Sequence, residues 1–332
     1  MSEIAPVEAT PILPIPLEAR IPGADERTIT LDGIRWRYLQ AGSGPPLLLI
    51  HGLMGYSFSW RFCMNTLARN FTVYAVDLPG CGFSERSDRL EGSLTSDAEG
   101  LLKFIEALGL ADVYVLGTSR GGGLSITLAK LAAKRGQPNI RKLILSAPIN
   151  PWSKFGQLRA KLLATYFGGL YAVHVIPRMP KLLKSYFVRL YGDPKHIPSG
   201  SFHGYQAGLE PAGSFQHLSR MMQPWSADLK RIGATLNDIS ELPILLLWGE
   251  RDVAVLPGSA YELEKRLRNS TVLMMKGIGH MPYEEVPDAF SRIAVDFFLH
   301  DQPATPLQIT PETNAAQAAV ITGTDAVAAQ PG

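Results

Sequence analysis

Short apolar runs alternate with amphipathic helical patterns from about residue 27 to residue 300. Several of these runs are continuous stretches of Leu, Ile and Val, which is typical of strands that are covered on both faces in a parallel sheet. Between the runs, apolar residues recur at spacings of three and four, as at positions 101, 104, 105 and 108, and predict helices that pack one stripe on the sheet. The alternation therefore predicts an α/β fold with helices on both faces of a mostly parallel, twisted sheet.

The strands of this sheet are predicted from the position of each apolar run. They are 28–31, 34–40, 47–50, 72–76, 113–116, 143–147, 244–248 and 271–275. Asp32-Gly33 separates the first two strands and is a turn sequence that joins antiparallel strands. We therefore expect these two strands to form a hairpin.

The strand pattern stops between the sixth and seventh predicted strands. Residues 149–240 show no strand alternation, and Pro and Gly separate short helical segments such as 156–166 and 181–191. We interpret residues 149–240 as a helical cap, called the cap segment below, that is inserted into a core formed by residues 27–148 and 241–300.

The two ends of the chain differ in composition from the core. Residues 1–26 hold several prolines and are predicted to form an extended arm. Residues 301–332 are rich in Ala, Thr, Gln and Pro, contain no Lys or Arg, and are predicted to form a flexible tail. The chain shows no secretory signal, no run of 18 apolar residues, and only two cysteines, so we expect a cytoplasmic protein.

Charge is distributed unevenly, although the net charge of +2 gives no reason to expect nucleic acid as a partner. The cap segment holds 11 Lys and Arg against 4 Asp and Glu (11 − 4 = +7), and the remainder holds 21 against 26 (−5). The simpler interpretation is a solvated basic face over an aromatic core. The alternative is an apolar pocket roof whose basic rim attracts anionic substrates or lipid headgroups, with peripheral membrane contact through the apolar stretch 162–177.

One motif points to nucleophilic chemistry. Gly117-Thr118-Ser119-Arg120-Gly121 follows a predicted strand and precedes a predicted helix. A strand–serine–helix turn of this kind is tight and strained, and glycines two residues either side remove the Cβ atoms that would clash there. A plain Gly/Ser-rich turn is the alternative, whereas a phosphate-binding loop is excluded because no Gly-Lys-Ser/Thr ending is present. Ser119 is thus the candidate nucleophile, with Gly117 and Gly121 as supporting residues.

A serine nucleophile needs a base and an acid that orients the base. His280 lies in a loop after the last predicted strand, and Asp252 follows the strand before it. Both positions belong to the carboxyl edge of a parallel sheet, where ligands bind. Glu250 competes with Asp252 for the role of the acid. For the histidines of the cap segment we expect surface or packing roles; they are His174, His196, His203 and His217.

The developing oxyanion needs two backbone donors. We predict the N–H of Arg120, next to the nucleophile, and the N–H of Leu53, in the loop after the third strand. His51 and Gly52 support the shape of this loop, and His51 is interpreted as a structural histidine rather than a second base. The sequence contains no metal-binding pattern such as H-E-x-x-H or C-x-x-C, so neither a metal nor another cofactor is expected.

These motifs resemble, in order and spacing, those of the capped α/β-hydrolase superfamily related to ester, lactone and carbon–carbon bond hydrolases. The resemblance covers about residues 30–300. It rests on Ala41-Gly42-Ser43-Gly44-Pro45-Pro46 before His51-Gly52, Asp77-Leu78-Pro79-Gly80-Cys81-Gly82-Phe83-Ser84, Gly117–Gly121, Gly249–Asp252 and Gly279-His280-Met281-Pro282. It implies the α/β-hydrolase fold with an inserted cap and a Ser119–Asp252–His280 triad.

Three departures narrow what the resemblance implies. Related epoxide hydrolases and haloalkane dehalogenases place Asp at the nucleophile position, where this chain has Ser119. Asn150, at an alternative acid position of some relatives, is not an acid. Arg120 is an uncommon neighbour of the nucleophile, and its side chain is expected to bind either a substrate anion or a core carboxylate.

The expected activity is hydrolysis of a carboxylic ester or lactone through an acyl-enzyme. The expected substrate is a small apolar or aromatic molecule, and the basic cap also suits an anionic one. One alternative is cleavage of a carbon–carbon bond in diketones of the meta-cleavage type, with the basic cap and Arg120 holding the substrate carboxylate. Another is a ligand-binding or accessory role without catalysis. The oligomeric state stays open.

Overall fold

The computed structural model describes residues 20–153 and 157–300. Eight strands form one sheet in the order β1-β2-β4-β3-β5-β6-β7-β8. They are β1 (Asp25–Leu31), β2 (Ile34–Ala41), β3 (Pro46–Ile50), β4 (Thr72–Asp77), β5 (Asp112–Thr118), β6 (Asn139–Ser146), β7 (Ile244–Gly249) and β8 (Ser270–Met275). The pairs β1–β2 and β2–β4 are antiparallel, and all other neighbours in the sheet are parallel. The predicted α/β fold with a mostly parallel sheet is thus confirmed.

Twelve α-helices are present in the described part of the chain. They are α1 (Met64–Leu67), α2 (Leu94–Ala107), α3 (Arg120–Arg135), α4 (Gln157–Leu163), α5 (Tyr166–His174), α6 (Pro180–Val188), α7 (Ser201–Ala207), α8 (Ser214–Met222), α9 (Trp225–Thr235), α10 (Gly258–Glu264), α11 (Pro282–Glu285) and α12 (Pro287–Leu299). Short 3₁₀ helices lie at Ser57–Trp60, Ile176–Arg178, Pro194–His196 and Leu236–Ile239. Among these described helices, none combines the length and the apolar character needed to cross a bilayer.

The sheet is covered on both faces because its central strands are apolar on both sides. In β3, Leu48 and Ile50 face one apolar cluster and Leu47 and Leu49 face the other, and all four are fully buried. Helices α2 and α3 contribute to the first cluster, and α1 and α12 to the second. The continuous apolar runs in the sequence reflect this burial on both faces.

The predicted hairpin of β1 and β2 is confirmed. Leu31 pairs with Ile34, and the two residues between them, Asp32 and Gly33, have φ angles of +51° and +72°. Two consecutive left-handed residues form the turn whose twist matches that of paired strands, and Asp and Gly tolerate this conformation better than other residues.

Two predicted boundaries are corrected. Strand β1 begins at Asp25, because Asp25 and Glu26 pair with Gln40 and Leu39 of β2, so the predicted arm 1–26 overlaps the sheet. Strand β6 ends at Ser146 rather than at Ala147, which has a left-handed φ of +44° and turns the chain out of the sheet. Residues 1–19 of the arm and the whole predicted tail, 301–332, lie outside the described residues.

Between β6 and β7, the described residues 147–153 and 157–243 contain helices and no strand. The predicted helical segment 156–166 is divided in two, because α4 ends at Leu163 and Thr165 caps the start of α5 by accepting a hydrogen bond from the Gly168 N–H at 3.1 Å. Gly156 itself lies outside the described residues. The predicted segment 181–191 corresponds to α6, which ends at Val188.

A buried ion pair shapes the loop after β4. Asp77 is fully buried and lies 3.0 Å from Nη1 of Arg37, which is itself 1% exposed. The same carboxylate accepts backbone N–H groups of Ser57 at 2.8 Å and Phe83 at 2.9 Å. Removing one partner of such a pair leaves an uncompensated charge in the interior, which is strongly destabilising.

We expect Asp77→Ala to lower the free energy of unfolding by about 3 kcal/mol, because the buried Arg37 guanidinium would keep only the part-exposed Glu26 as an ion-pair partner. The exposed pair of Asp25 with Arg27, at 3.1 Å, supplies the control. Asp25→Ala should change the same quantity by less than about 1 kcal/mol, as expected for a solvated ion pair. Denaturant unfolding measures both variants, and equal effects would contradict the structural role of Asp77.

Candidate active site

Ser119 forms the turn between the end of β5 at Thr118 and the start of α3 at Arg120. Its φ and ψ are +52° and −118°, a strained conformation for a residue with a side chain. The Ser119 N–H donates to the carbonyl of Ser146 at 2.9 Å, and its own carbonyl accepts from Gly123 at 3.1 Å and Ile149 at 3.0 Å. Backbone contacts to three parts of the chain therefore hold the half-buried serine in place.

The glycines of the motif permit this turn because neighbouring atoms leave no room for a side chain. A Cβ at Gly117 would lie 2.2 Å from Oγ of Ser125. A Cβ at Gly121 would lie 2.4 Å from the carbonyl oxygens of both Ile50 and His51. Helix α3 consequently starts in direct backbone contact with the end of β3.

The predicted acid and base are brought together. Nδ1 of His280 lies 2.7 Å from Oδ2 of Asp252, and both residues are buried, at 6% and 3% exposure. The other carboxylate oxygen of Asp252 accepts the N–H groups of Ala254 at 2.7 Å and Val255 at 2.9 Å. Because the carboxylate only accepts, His280 carries its proton on Nδ1, which leaves Nε2 as the free acceptor.

Glu250, the competing acid, does not reach the imidazole. It is exposed, and its Oε2 accepts the N–H of Gly277 at 3.1 Å. This bond supports the loop that leads to His280, so the residue acts on the loop rather than on the histidine ring.

Ser119, Asp252 and His280 follow strands β5, β7 and β8, and therefore share the carboxyl edge of the sheet. Within residues 20–153 and 157–300, no direct hydrogen bond joins the Ser119 hydroxyl to His280. Catalytic hydrogen bonds of this type commonly shorten only when substrate is bound.

The loop after β3 lies beside the serine. A Cβ at Gly52 would be 3.1 Å from Cβ of Ser119 and 3.7 Å from its Oγ. The loop closes by a hydrogen bond from the Gly55 N–H to the Gly52 carbonyl at 3.1 Å, and Met54 adopts a left-handed φ of +62°. Because the N–H of Gly55 closes this turn, the N–H of Leu53 takes no part in the hydrogen bonding of the turn.

His51 shapes this loop through both ring nitrogens. Nδ1 lies 2.8 Å from the carbonyl of Gly52, and Nε2 accepts the N–H of Leu78 at 3.1 Å. Burial lowers the pKa of His51, so the ring is neutral. With both nitrogens bonded to backbone, the ring cannot act as a base toward Ser119.

The side chain of Arg120 binds a core carboxylate, which decides between the two roles expected for it. Nη2 donates to Oδ2 of Asp97 at 2.7 Å and to the carbonyl of Gly92 at 2.7 Å, and the residue is 3% exposed. Burial raises the pKa of Asp97, although the guanidinium opposes that shift. The guanidinium of Arg120 thus points into the core, and only the backbone N–H of this residue is available as a donor on the first turn of α3.

Sequence reasoning missed Glu285, which follows the predicted base by five residues. Its Oε1 accepts the N–H of Gly279 at 2.8 Å and its Oε2 accepts the N–H of Gly192 at 2.9 Å. The N–H of His280 also donates to the cap carbonyl of Leu190 at 2.6 Å. One carboxylate thereby joins the cap segment to the loop that carries the histidine. In the sequence, only the consecutive acids Glu284 and Glu285, shortly after Gly279-His280-Met281-Pro282, indicated this contact.

The neighbouring Glu284 makes a second connection to the cap segment. It is 2% exposed and forms a two-pronged ion pair with Arg61, whose Nη2 lies 2.6 Å from Oε2. Hydroxyl groups of Tyr191 and Tyr205 donate to the same carboxylate at 3.0 and 2.8 Å, and Ser201 donates at 3.3 Å. A buried charge with this many donors fixes the cap next to His280.

The thiol of Cys81, in the loop after β4, is buried. Cys81 lines a small cavity of about 10 Å³ together with Met54 and Gly55, and burial raises the pKa of its thiol to about 12. In residues 20–153 and 157–300, no cluster of three or more His, Cys, Asp or Glu side chains is placed to hold a metal ion.

Burial also raises the pKa of Glu285, from 4.5 to about 7. The folded state thus binds the proton more tightly than the unfolded chain does. The contribution of the Glu285 carboxyl group to the free energy of unfolding is complete below pH 4.5. It is lost as the pH rises toward 7, by at most about 3 kcal/mol. In Glu285→Gln this part of the pH dependence should disappear.

Urea unfolding of the wild type and the variant between pH 4.5 and 8 measures the difference. The exposed Glu106 on α2 provides a matched control, and Glu106→Gln should retain the wild-type slope. An unchanged slope in Glu285→Gln would show that the carboxyl group does not titrate in this interval.

Comparisons with known proteins agree with this architecture. Residues 45–287 match the family described as alpha/beta hydrolase fold. Haloalkane dehalogenase 2 of Mycobacterium tuberculosis is 26% identical over 276 residues, covering 80% of this chain and 91% of that protein. The structure of the epoxide hydrolase CorEH has a TM-score of 0.71 at 21% identity, covering 83% of this chain and 99% of that one.

A variant of the meta-cleavage product hydrolase CumD, from Pseudomonas fluorescens, is similar as well. Its TM-score is 0.66 at 25% identity, and the match covers 82% of this chain and 97% of that one. The family match extends over most of the chain and includes the loop after β3, the turn at Ser119 and the loop at His280. The chain therefore belongs to the α/β-hydrolase fold family and is a hydrolase of that type.

Proposed function

We propose that this protein is a serine hydrolase that cleaves a carboxylic ester or lactone of an apolar or aromatic small molecule. The observation that carries the proposal is the placement of Ser119 on a strained strand-to-helix turn, at the same sheet edge as the hydrogen-bonded pair Asp252–His280. A hydroxyl nucleophile, an imidazole and a buried carboxylate are the groups that acyl transfer requires.

In the proposed reaction, Nε2 of His280 takes the proton of the Ser119 hydroxyl as its oxygen attacks the substrate carbonyl. Asp252 holds the ring in the Nδ1–H tautomer and stabilises the imidazolium that forms. The N–H groups of Leu53 and Arg120 donate to the oxyanion. His280 then protonates the leaving alcohol, and an activated water cleaves the acyl-enzyme.

The serine also argues against the reactions for which the similar haloalkane dehalogenase and epoxide hydrolase are named. Displacement at a saturated carbon by Ser119 would form an ether, which water and a histidine do not hydrolyse readily. An aspartate in that place would form an ester, which the same histidine can hydrolyse. Attack on an acyl carbon is therefore the chemistry that suits Ser119.

Buried aromatic rings near the loop after β3 support an apolar substrate. Tyr56 stacks on Phe58 with ring centroids 5.6 Å apart, and Phe58 meets Tyr205 of α7 edge-to-face at 5.4 Å. Phe83 lies against Tyr56 at 5.5 Å. Aromatic rings therefore make up much of this contact between the core and the cap segment, and they suit an apolar or aromatic substrate.

A second candidate is hydrolysis of a carbon–carbon bond, which the similarity to the meta-cleavage product hydrolase favours. One of its supports is removed, because the Arg120 guanidinium is bound to Asp97 and is not free to hold a substrate carboxylate. Turnover of an activated ester compared with that of a vinylogous diketo acid discriminates between the two candidates. Faster turnover of the diketo acid would replace the ester proposal.

Ser119→Ala should reduce kcat/KM for a short activated ester by about 10³-fold or more, because the proposed acyl-enzyme forms on this hydroxyl. Ser226→Ala, at an exposed position of α9, serves as the matched control and should retain wild-type activity. Thermal unfolding of both variants confirms that each is folded. Retained activity in folded Ser119→Ala would reject this serine as the nucleophile.

Asp252→Asn should lower kcat by about 10³–10⁴-fold, since an amide next to Nδ1 no longer selects the required tautomer. Glu250→Gln should change kcat by no more than a few fold, because Glu250 hydrogen-bonds the Gly277 backbone and not the imidazole. Steady-state kinetics on the same ester measures both variants. A larger loss in Glu250→Gln would reassign the role of the acid.

A further inference from the structure

The cap segment presents an apolar surface to solvent. Nine of the fourteen exposed large hydrophobic residues in the described part of the chain lie between positions 162 and 186. We call this set the aromatic face; it consists of Leu162, Tyr166, Phe167, Leu170, Tyr171, Val175, Met179, Leu182 and Tyr186. Single exposed apolar residues are ordinary on soluble proteins, whereas a concentration of this kind marks a binding surface.

Helix α5 is the centre of the aromatic face. Tyr166 and Phe167 are 76% and 79% exposed, and Leu170 and Tyr171 follow them one turn later. The opposite side of the helix packs on the cap, where Ala172 is buried and Gly169 faces Ser219 of α8. Packing within the cap, the simpler expectation for this stretch, thus uses only one side of α5 and leaves its aromatic side uncovered.

The aromatic face continues from α5 toward α6. The hydroxyl of Tyr171 lies 3.8 Å from Sδ of Met179, which immediately precedes α6. On α6, Leu182 and Tyr186 are 46% and 43% exposed, while Phe187 is buried in the core of the cap. The two helices and their connection therefore form one outer surface of the cap.

Positive charge flanks the aromatic face, and no acidic residue belongs to the stretch of sequence that forms it. No Asp or Glu occurs between Asp112 and Asp193 in the sequence. The basic side chains on this surface are all exposed; they are Lys161, Arg178, Lys181, Lys184 and Arg189. Among the described residues, no ion pair with a carboxylate is formed by any of these five. Their charge is therefore available to an external anion.

We propose that the aromatic face binds the surface of an anionic lipid bilayer. Tyr, Phe and Leu side chains would enter the interfacial region, and the surrounding Lys and Arg side chains would lie at the headgroups. A second copy of the chain fits this surface less well, because both faces would carry the same positive charge. The proposal concerns binding alone and is independent of the proposed reaction.

Docking at this surface has a direct structural connection to the candidate active site. Leu190 and Gly192, which follow α6, hydrogen-bond His280 and Glu285. A membrane-bound cap segment would thus hold its α6 end at the bilayer and its following loop at the histidine.

Cosedimentation of the full-length protein with vesicles tests the proposal. We expect binding to vesicles that contain phosphatidylglycerol to be about tenfold stronger than binding to phosphatidylcholine alone, and to weaken at high salt. Changing Tyr166→Ser together with Phe167→Ser should reduce binding about tenfold or more. Lys181→Glu together with Lys184→Glu should reduce it to a similar extent.

Two matched controls separate this surface from general effects. Tyr261→Ser removes an exposed tyrosine of α10, and Lys134→Glu with Lys276→Glu changes the net charge equally at exposed lysines outside the cap. Both should retain wild-type binding, and unfolding midpoints show that every variant is folded. The same measurement on Ser119→Ala keeps the result separate from catalysis.

Three outcomes would overturn the proposal. The first is the absence of binding to anionic vesicles at low salt, and the second is equal binding to vesicles of either composition. The third is a dimer in solution that Tyr166→Ser with Phe167→Ser dissociates, which would assign the aromatic face to a second copy of the chain.

Discussion

The backbone contact between the end of β3 and the start of α3 is the constraint on which the candidate site depends. At Gly121 the helix approaches the carbonyl oxygens of Ile50 and His51 so closely that a side chain has no room. This contact allows Ser119 to take its left-handed conformation beside Gly52. The candidate nucleophile and the loop that is predicted to supply an oxyanion donor are thus placed side by side by main-chain contacts.

A second constraint joins the cap to the histidine loop through buried charge. Glu284 and Glu285 are consecutive, and each accepts hydrogen bonds from the cap segment next to His280. Burying two carboxylates costs free energy that only well-formed hydrogen bonds offset, so these bonds specify one position of the cap. The inner side of the cap is therefore fixed by polar groups, while its outer side presents Tyr166 and Phe167 to solvent.

The similar proteins show how one architecture accommodates different reactions. An epoxide hydrolase and a meta-cleavage product hydrolase share this fold with the chain, yet the substrates for which they are named differ in kind. The sheet supplies positions for a nucleophile, an acid and a base, and the side chain at each position determines which bonds can be broken. At position 119 the hydroxyl of serine, rather than a carboxylate, directs the proposal toward acyl groups.

Local patterns were sufficient to predict the sheet, the hairpin and the pairing of Asp252 with His280, because burial on both faces, turn chemistry and the position of a loop after a strand are all visible within a few residues of sequence. Asp252 and His280 could be paired in this way since both follow parallel strands. The partner of Arg120, the role of Glu285 and the exposure of Tyr166 depend on segments distant in the chain. Asp97 meets Arg120 only when α2 packs beside α3, whereas the contacts of Glu285 and the exposed side of α5 arise when the cap segment folds. No short stretch of sequence contains both partners of these contacts.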